Sequence, residues 1–309
     1  MYLSETPKMA VNVGGIAMKN PLNTASGAFG QGWQFENFFD VSELGAITTK
    51  GVAIDPWPGN DGPRMADVYG GIINSVGLQN PGVDGFIKDN SEYLENLSEK
   101  GTAVICQVAG HTLEEYQAAL SRFEETAPWA AGFEINISCP NLSAGCAWGA
   151  TPESAAQVIK AVRPLTSRPL LVKMAPVNIA DTARALEDAG ADALSVINSI
   201  PGMAIDINTH RSKIARPTGG LSGPAFHPIA LRMVWEASQA TSLPINGMGG
   251  VTTGAEAAEF ILAGATCVSV GFAALSDPTS PIRILRELTE WVAAQGASDI
   301  NDLIGAFEC

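Results

Sequence analysis

The hexapeptide Asn136-Ile137-Ser138-Cys139-Pro140-Asn141 places a thiol between two carboxamides. It follows the apolar run Gly132-Phe133-Glu134-Ile135, which reads as a buried strand, so the thiol falls on a tight turn just past a strand end. An ionised thiol accepts a proton, and carboxamides hold a planar, amide-rich molecule in one orientation. Cys139 therefore reads as a reactive thiol rather than a structural one. Cys106 and Cys267 fall inside apolar strands and read as small core hydrophobes. Cys146 reads as an incidental loop cysteine, or else as a resolving thiol or a second ligand. His111, His210 and His227 show no ligand-like spacing and read as surface or loop residues.

Other polar residues stand at the ends of apolar runs. Ser26 ends the first predicted strand and Lys50 the second; Lys173 ends the fifth, and Asn198 and Ser199 the sixth. Asn74 lies in a long connection. A lysine at the end of a buried strand either snorkels to solvent or serves as a cation beside an electron-rich ring, and two at matched positions favour the second reading. The seventh and eighth strands finish with Gly249-Gly250 and Gly271. Singly, such glycines read as tight turns. As a pair after adjacent strands they let the backbone approach a phosphate at the start of the next helix.

The elements that must position these residues follow from hydrophobic patterning. Strands are predicted over residues 21–26, 45–50, 102–108, 133–138, 169–174, 193–199, 244–250 and 267–273. Helices are predicted over 36–41, 83–97, 113–126, 152–162, 179–189, 227–239, 254–262 and 281–294. Near-continuous apolar strands alternating with amphipathic stretches predict a parallel sheet covered on both faces, and eight such units predict a TIM (β/α)8 barrel. Residues 10–13 and 16–18, joined by Gly14-Gly15, read as a short N-terminal β-hairpin. Two long connections, 51–80 and 200–225, follow strands and so extend over the C-terminal face, where barrels build their sites. No linker interrupts the pattern, so residues 1–309 are read as a single domain.

The 309 residues are 46% hydrophobic and only 16% charged, with a net charge of −14. That balance, without a basic run, argues against nucleic acid and against an anionic membrane surface. No segment is apolar enough to span a bilayer, and Met1-Tyr2-Leu3-Ser4-Glu5 lacks the regions of a signal peptide, so a cytoplasmic location is expected. Five cysteines without a C-x-x-C pair argue against a disulfide framework and against a zinc or iron–sulfur site in this chain.

Ordered motifs along nearly the whole chain carry a resemblance: Ala25-Ser26-Gly27, Thr48-Thr49-Lys50-Gly51, Asn74 with Gly77-Leu78-Gln79-Asn80-Pro81-Gly82, the Asn136–Asn141 hexapeptide, Val172-Lys173 and Ile197-Asn198. Gly202-Met203-Ala204-Ile205-Asp206-Ile207, Gly219-Gly220-Leu221-Ser222-Gly223-Pro224-Ala225 and Gly247-Met248-Gly249-Gly250-Val251 complete the set. The chain resembles dihydroorotate dehydrogenases, and their NAD-linked class 1B more closely than the fumarate-linked or quinone-linked classes. The resemblance implies FMN at the C-terminal mouth of the barrel and oxidation of dihydroorotate to orotate in pyrimidine synthesis. It implies Cys139 as the base at C5 of the substrate, with the C6 hydrogen leaving as hydride to the flavin. It implies that Lys50, Asn74, Gly77, Leu78, Asn136, Asn141, Asn198 and Ser199 bind the substrate. FMN would be held by Ala25, Ser26, Lys50, Gly51, Asn136, Lys173, Ile197, Gly223, Gly249, Gly250, Gly271 and Phe272. Lys173 would stabilise negative charge on the reduced flavin. The class works with a second subunit carrying FAD and a [2Fe–2S] cluster, so a homodimer associated with such a subunit is expected.

This sequence departs from the pattern at a few positions. Phe272 stands where the family usually has Thr, Cys146 and Trp148 where the class more often has Gly and Phe, and Asn246 is polar within the seventh strand. Two other readings compete. Flavin enzymes that reduce uracil or thymine share the Ser-Cys-Pro core but usually carry His at the position of Asn141. A non-catalytic barrel paralogue serving as a scaffold has Phe272 as its support, against retention of Cys139, two lysines and four asparagines.

Overall fold

The computed structural model describes residues 6–138 and 148–308. Along the chain, a hairpin of β1 (Val11–Val13) and β2 (Ile16–Met18) is followed by β3 (Leu22–Thr24), β4 (Ala46–Thr48), β5 (Met65–Val68) and β6 (Gly71–Asn74). Then come α1 (Gly82–Glu99), β7 (Ala103–Val108), α2 (Leu113–Thr126), β8 (Gly132–Asn136), α3 (Pro152–Val162), β9 (Leu170–Lys173), α4 (Ile179–Asp188) and β10 (Ala193–Val196). Four short strands, β11 (Ile200–Gly202), β12 (Ile205–Asp206), β13 (Arg211–Ser212) and β14 (Gly219–Ser222), precede α5 (His227–Ser238). The chain continues through β15 (Ile245–Met248), α6 (Gly254–Leu262), β16 (Cys267–Val270), α7 (Phe272–Ser276) and α8 (Ser280–Ala294).

Eight parallel strands form one sheet in the order β3-β16-β15-β10-β9-β8-β7-β4, a nearly closed TIM-type barrel. Between β3 and β4 the closure runs through side chains: Asn23 Nδ2 donates to Thr48 Oγ1 (3.0 Å), and the Thr48 N–H to Thr24 Oγ1 (3.2 Å). The strands are buried because helices cover them outside and side chains fill the interior. Threonines start three of the covering helices. Thr112 caps α2, while Thr151 and Thr253 form reciprocal capping boxes with Ser154 and Glu256 at α3 and α6.

One expected element is corrected. Residues 36–41 are not an α-helix; two 3-10 turns, Trp33–Phe35 and Val41–Glu43, stand between β3 and β4. Gly30 and Gly32 hold positive φ there, and Phe29 stacks on Phe35 at 4.0 Å, so packing of aromatic rings fixes a tighter path than a helix allows. The connections 51–80 and 200–225 carry short strands of their own. They pair with each other, order β11-β14-β6-β5, into an antiparallel sheet lying beside the barrel mouth.

Candidate active site

Beneath the mouth the barrel interior is polar. Glu134 is 1% exposed. One of its carboxylate oxygens accepts from Gln107 Nε2 (2.5 Å), the other from the Ser195 hydroxyl. Ser195 Oγ accepts from Asn246 Nδ2 (3.1 Å), and Asn246 Oδ1 accepts from Ser269 Oγ (2.8 Å) and Cys267 Sγ (3.3 Å). The polar residue in the seventh barrel strand is thus a link between neighbouring strands, with every polar atom of its amide group engaged.

Lys173 rises from this layer, 6% exposed, with Nζ donating to Ser26 Oγ at 3.1 Å. Burial lowers its pKa from the usual lysine value, and the Glu134 charge partly opposes that. Gln107 Nε2 also donates to Ser26 Oγ, at 2.7 Å. With both lone pairs of Ser26 taken, its own hydrogen remains for an acceptor in the cleft above.

That cleft has a volume of about 440 Å3. Its walls carry Ser26, Lys50, Asn74, Asn136, Lys173 and Asn198, drawn from five barrel strand ends and the antiparallel sheet. The carboxamides are held in fixed orientations. Asn136 Nδ2 donates to Gln107 Oε1 (3.2 Å), and Asn136 Oδ1 accepts from the N–H (3.2 Å) and hydroxyl (2.9 Å) of Ser138. Asn198 Nδ2 donates to Ser138 Oγ (2.8 Å), and its Oδ1 accepts the Ser199 N–H (2.9 Å). Asn74 Nδ2 donates to the Gly220 carbonyl (3.1 Å) across the paired strands β6 and β14. The site therefore combines two cations with oriented amide donors, which suits an anionic, carbonyl-rich ligand.

At the far end Gly249, Gly250, Gly271 and Phe272 complete the wall. Gly249 and Gly250 have φ of 139° and 72°, conformations that favour glycine. A Cβ on Gly250 would lie 2.7 Å from both the Gly223 carbonyl oxygen and the His227 nitrogen. Among the described residues no backbone acceptor takes the N–H groups of Gly250 or Phe272. A cradle without side chains, lined by unsatisfied N–H donors, fits the phosphate of FMN, and Phe272 can serve it through its backbone.

Of the predicted site residues, Ala25, Ser26, Lys50, Asn74, Gly77, Leu78, Asn136, Lys173, Ile197, Asn198, Ser199, Gly249, Gly250, Gly271 and Phe272 all line this one cleft. Gly51 and Gly223 do not. A Cβ on Gly51 would meet Gln107 Oε1, and Gly223 lies behind Gly250 against Gly70 and Gly71. Cys139, Asn141 and Cys146 lie outside the described residues. Trp148 donates its Nε1 hydrogen to the His111 carbonyl (3.1 Å). The patterning missed Gln107 and Glu134, although a carboxylate in an otherwise apolar buried run was the available signal. His227 is also corrected: it is buried, because its ring packs edge-on to Phe260 and both nitrogens have partners.

A TIM-type barrel with a buried lysine, a second lysine at its rim, fixed carboxamides and a glycine phosphate cradle at its C-terminal mouth defines a cofactor-dependent barrel enzyme. The sequence profile of the dihydroorotate dehydrogenase family matches residues 8–292, and the chain belongs to that family. It is 46% identical over 308 residues to the catalytic subunit of dihydroorotate dehydrogenase B (NAD(+)) from Geobacter sp. (strain M21), covering 98% of this chain and 99% of the relative. The protein of the same name from Lachnoclostridium phytofermentans is 45% identical over 298 residues, covering 96% and 98%. In fold the chain is similar to a dihydroorotate dehydrogenase from Eimeria tenella solved with ferulenol. The TM-score is 0.80 at 22% identity, over 99% of this chain and 90% of that one.

Proposed function

We propose that this chain, as one barrel domain, oxidises dihydroorotate to orotate in pyrimidine biosynthesis and is the FMN-binding subunit of an NAD-linked enzyme. The observation that carries the reading is the single cleft in which Lys50, Lys173 and three oriented carboxamides face a phosphate cradle. When bound, FMN supplies a hydride acceptor for the C6 hydrogen of the substrate. The chain's residues supply the rest. Asn74 and Asn136 each keep one amide hydrogen beyond those engaged within the protein, and Asn198 stands beside them, oriented by Ser138, to face the carbonyls and carboxylate of the ring. Lys50 and Lys173 offset negative charge at either end of the reacting system. Cys139 takes the C5 proton, and a thiol near its ordinary pKa is only partly ionised at neutral pH, so proton removal quickens as pH rises.

Two further parts of the reading rest on the family. Electrons leave through a second subunit bearing FAD and a [2Fe–2S] cluster, and the FMN subunit pairs with itself. Among the described residues no helix is long and apolar enough to cross a membrane; a cytoplasmic location is part of the same reading.

Anaerobic mixing of the yellow chain with dihydroorotate or with dihydrouracil tests the assignment. Flavin absorbance is expected to bleach with dihydroorotate and not with dihydrouracil; the reverse preference refutes the substrate. Cys139→Ala should retain FMN and lose most bleaching, and joint loss of both would mark Cys139 as structural.

A further inference from the structure

His227 opens α5, and its two ring nitrogens both face acceptors. Nδ1 lies 3.2 Å from the carbonyl oxygen of Gly249, and Nε2 lies 2.7 Å from a carboxylate oxygen of Glu259 on α6. A backbone carbonyl only accepts, so the contact with Gly249 places a hydrogen on Nδ1, while Nε2 sits against the carboxylate. The ring thereby ties the loop after β15 to two helices at once. Its 7% exposure and its packing against Phe260, at 5.1 Å between centroids, leave it little freedom to turn.

Peptide geometry carries this outward tether into the cleft. The Gly249–Gly250 peptide is trans, and in a trans peptide the carbonyl and the following N–H point in opposite directions. With the Gly249 carbonyl held on His227, the Gly250 N–H is turned away from the ring. Gly250 lines the cleft, and among the described residues no backbone acceptor takes its hydrogen. Two consecutive glycines at positive φ are otherwise free to rotate that peptide, because neither bears a Cβ to oppose it.

We propose that His227 is a positioning residue for a phosphate monoester: by holding the Gly249 carbonyl it aims the Gly250 N–H at the phosphate. The inference rests on the reading above that FMN seats its phosphate at these glycines. It assigns the orientation of that cradle to a side chain outside the cleft wall.

The test compares FMN with riboflavin, which lacks the phosphate, by quenching of flavin fluorescence on the full-length chain stripped of flavin. His227→Phe keeps an aromatic ring against Phe260 and removes both ring nitrogens. It should weaken FMN by about tenfold or more, the usual effect of losing one charge-assisted hydrogen bond, and leave riboflavin unchanged. His227→Gln, which keeps one amide donor, should recover part of the FMN affinity. Parallel weakening of both ligands, or no change in FMN, overturns the proposal. A wild-type chain that binds both flavins equally refutes the phosphate reading itself, a different signature. Should the phenylalanine variant fail to fold, Glu259→Ala releases the ring from the surface side. It must still lower FMN affinity and spare riboflavin, and an unchanged FMN affinity there overturns the proposal equally.

Discussion

Replacing Glu134 by glutamine keeps the size of the side chain but removes its charge and one of its acceptors. Each carboxylate oxygen now takes a hydrogen bond, one from Gln107 Nε2 and one from Ser195. A carboxamide has a single oxygen, so its NH2 group must confront one of the two donors. Ser195 has little room to reverse its role, because its Oγ already accepts from Asn246 Nδ2 at 3.1 Å. One buried donor left unmatched costs about 1–3 kcal/mol. Removing the negative charge that favours Lys173 adds about 1 kcal/mol, toward the low end of couplings between neighbouring groups. The sum is about 2–4 kcal/mol, which lowers Tm by roughly 3–6 °C in a chain of 309 residues. Calorimetry of the flavin-free chain measures it directly, and a Tm within about 1 °C of wild type refutes the accounting. A second arm isolates the charge pair. Glu134→Gln combined with Lys173→Met should destabilise by less than the sum of the two singles, since each single change strips the other group of its compensation. Strict additivity would show that the two charges do not sense each other.

Three further outcomes are expected. Gly250→Ala should abolish retention of FMN through gel filtration, because φ is 72° and the new Cβ would meet the His227 nitrogen at 2.7 Å; Gly101→Ala, at φ 83° with nothing within 4 Å, should keep its flavin and lose about 1 kcal/mol of stability. The folded chain gives up the Lys173 proton before the unfolded chain does, so between the lowered folded value and the ordinary 10.5 the unfolded state binds more protons and stability rises with pH. The stability difference between wild type and Lys173→Met, followed by urea melts, should accordingly move in favour of wild type as the solution becomes alkaline, and a constant difference refutes it. Cys106 and Cys267 are fully buried and their thiols are pushed upward by burial, so neither should react with a thiol reagent until the chain unfolds; mass spectrometry of labelled peptides decides this.

What was legible in the sequence follows from how local each signal is. Helices capped by Thr112, Thr151 and Thr253 start where their caps predict, since a cap is read within four residues. The barrel strands were found because burial on both faces leaves unbroken apolar runs. Their predicted ends ran too long at Lys50 and Ser199, because side chains that line a mouth continue the pattern after the ladder stops. Strands β5, β6, β11 and β14 were invisible as strands. The pairing of β6 with β14 spans a long stretch of chain, and an exposed Met65 with a glycine at the start of β6 gives no hydrophobic alternation to read. The helix expected at 36–41 failed where stacking of Phe29 on Phe35 overrode local propensity. Lys173, Asn136 and Asn198 were recognisable because polar groups at the ends of apolar strands demand a reason. Gln107, Glu134 and Ser195 were harder, since each satisfies the others and their pairing appears only once the strands are set side by side.

The sheet beside the mouth has a kinetic consequence. Its central pair joins β6 to β14, with Asn74 bonded to Gly220 across 146 residues of chain. Closing so long a loop carries a large entropic penalty unless intervening elements have already drawn the ends together, and here those elements are four of the eight barrel strands, β7 to β10, and the helices between them. This half of the barrel must therefore assemble before the sheet can, and the wall bearing Asn74 forms after it. Refolding should show tryptophan burial and secondary structure recovering ahead of ligand-binding competence, with a phase in which the chain is folded but has no finished active site.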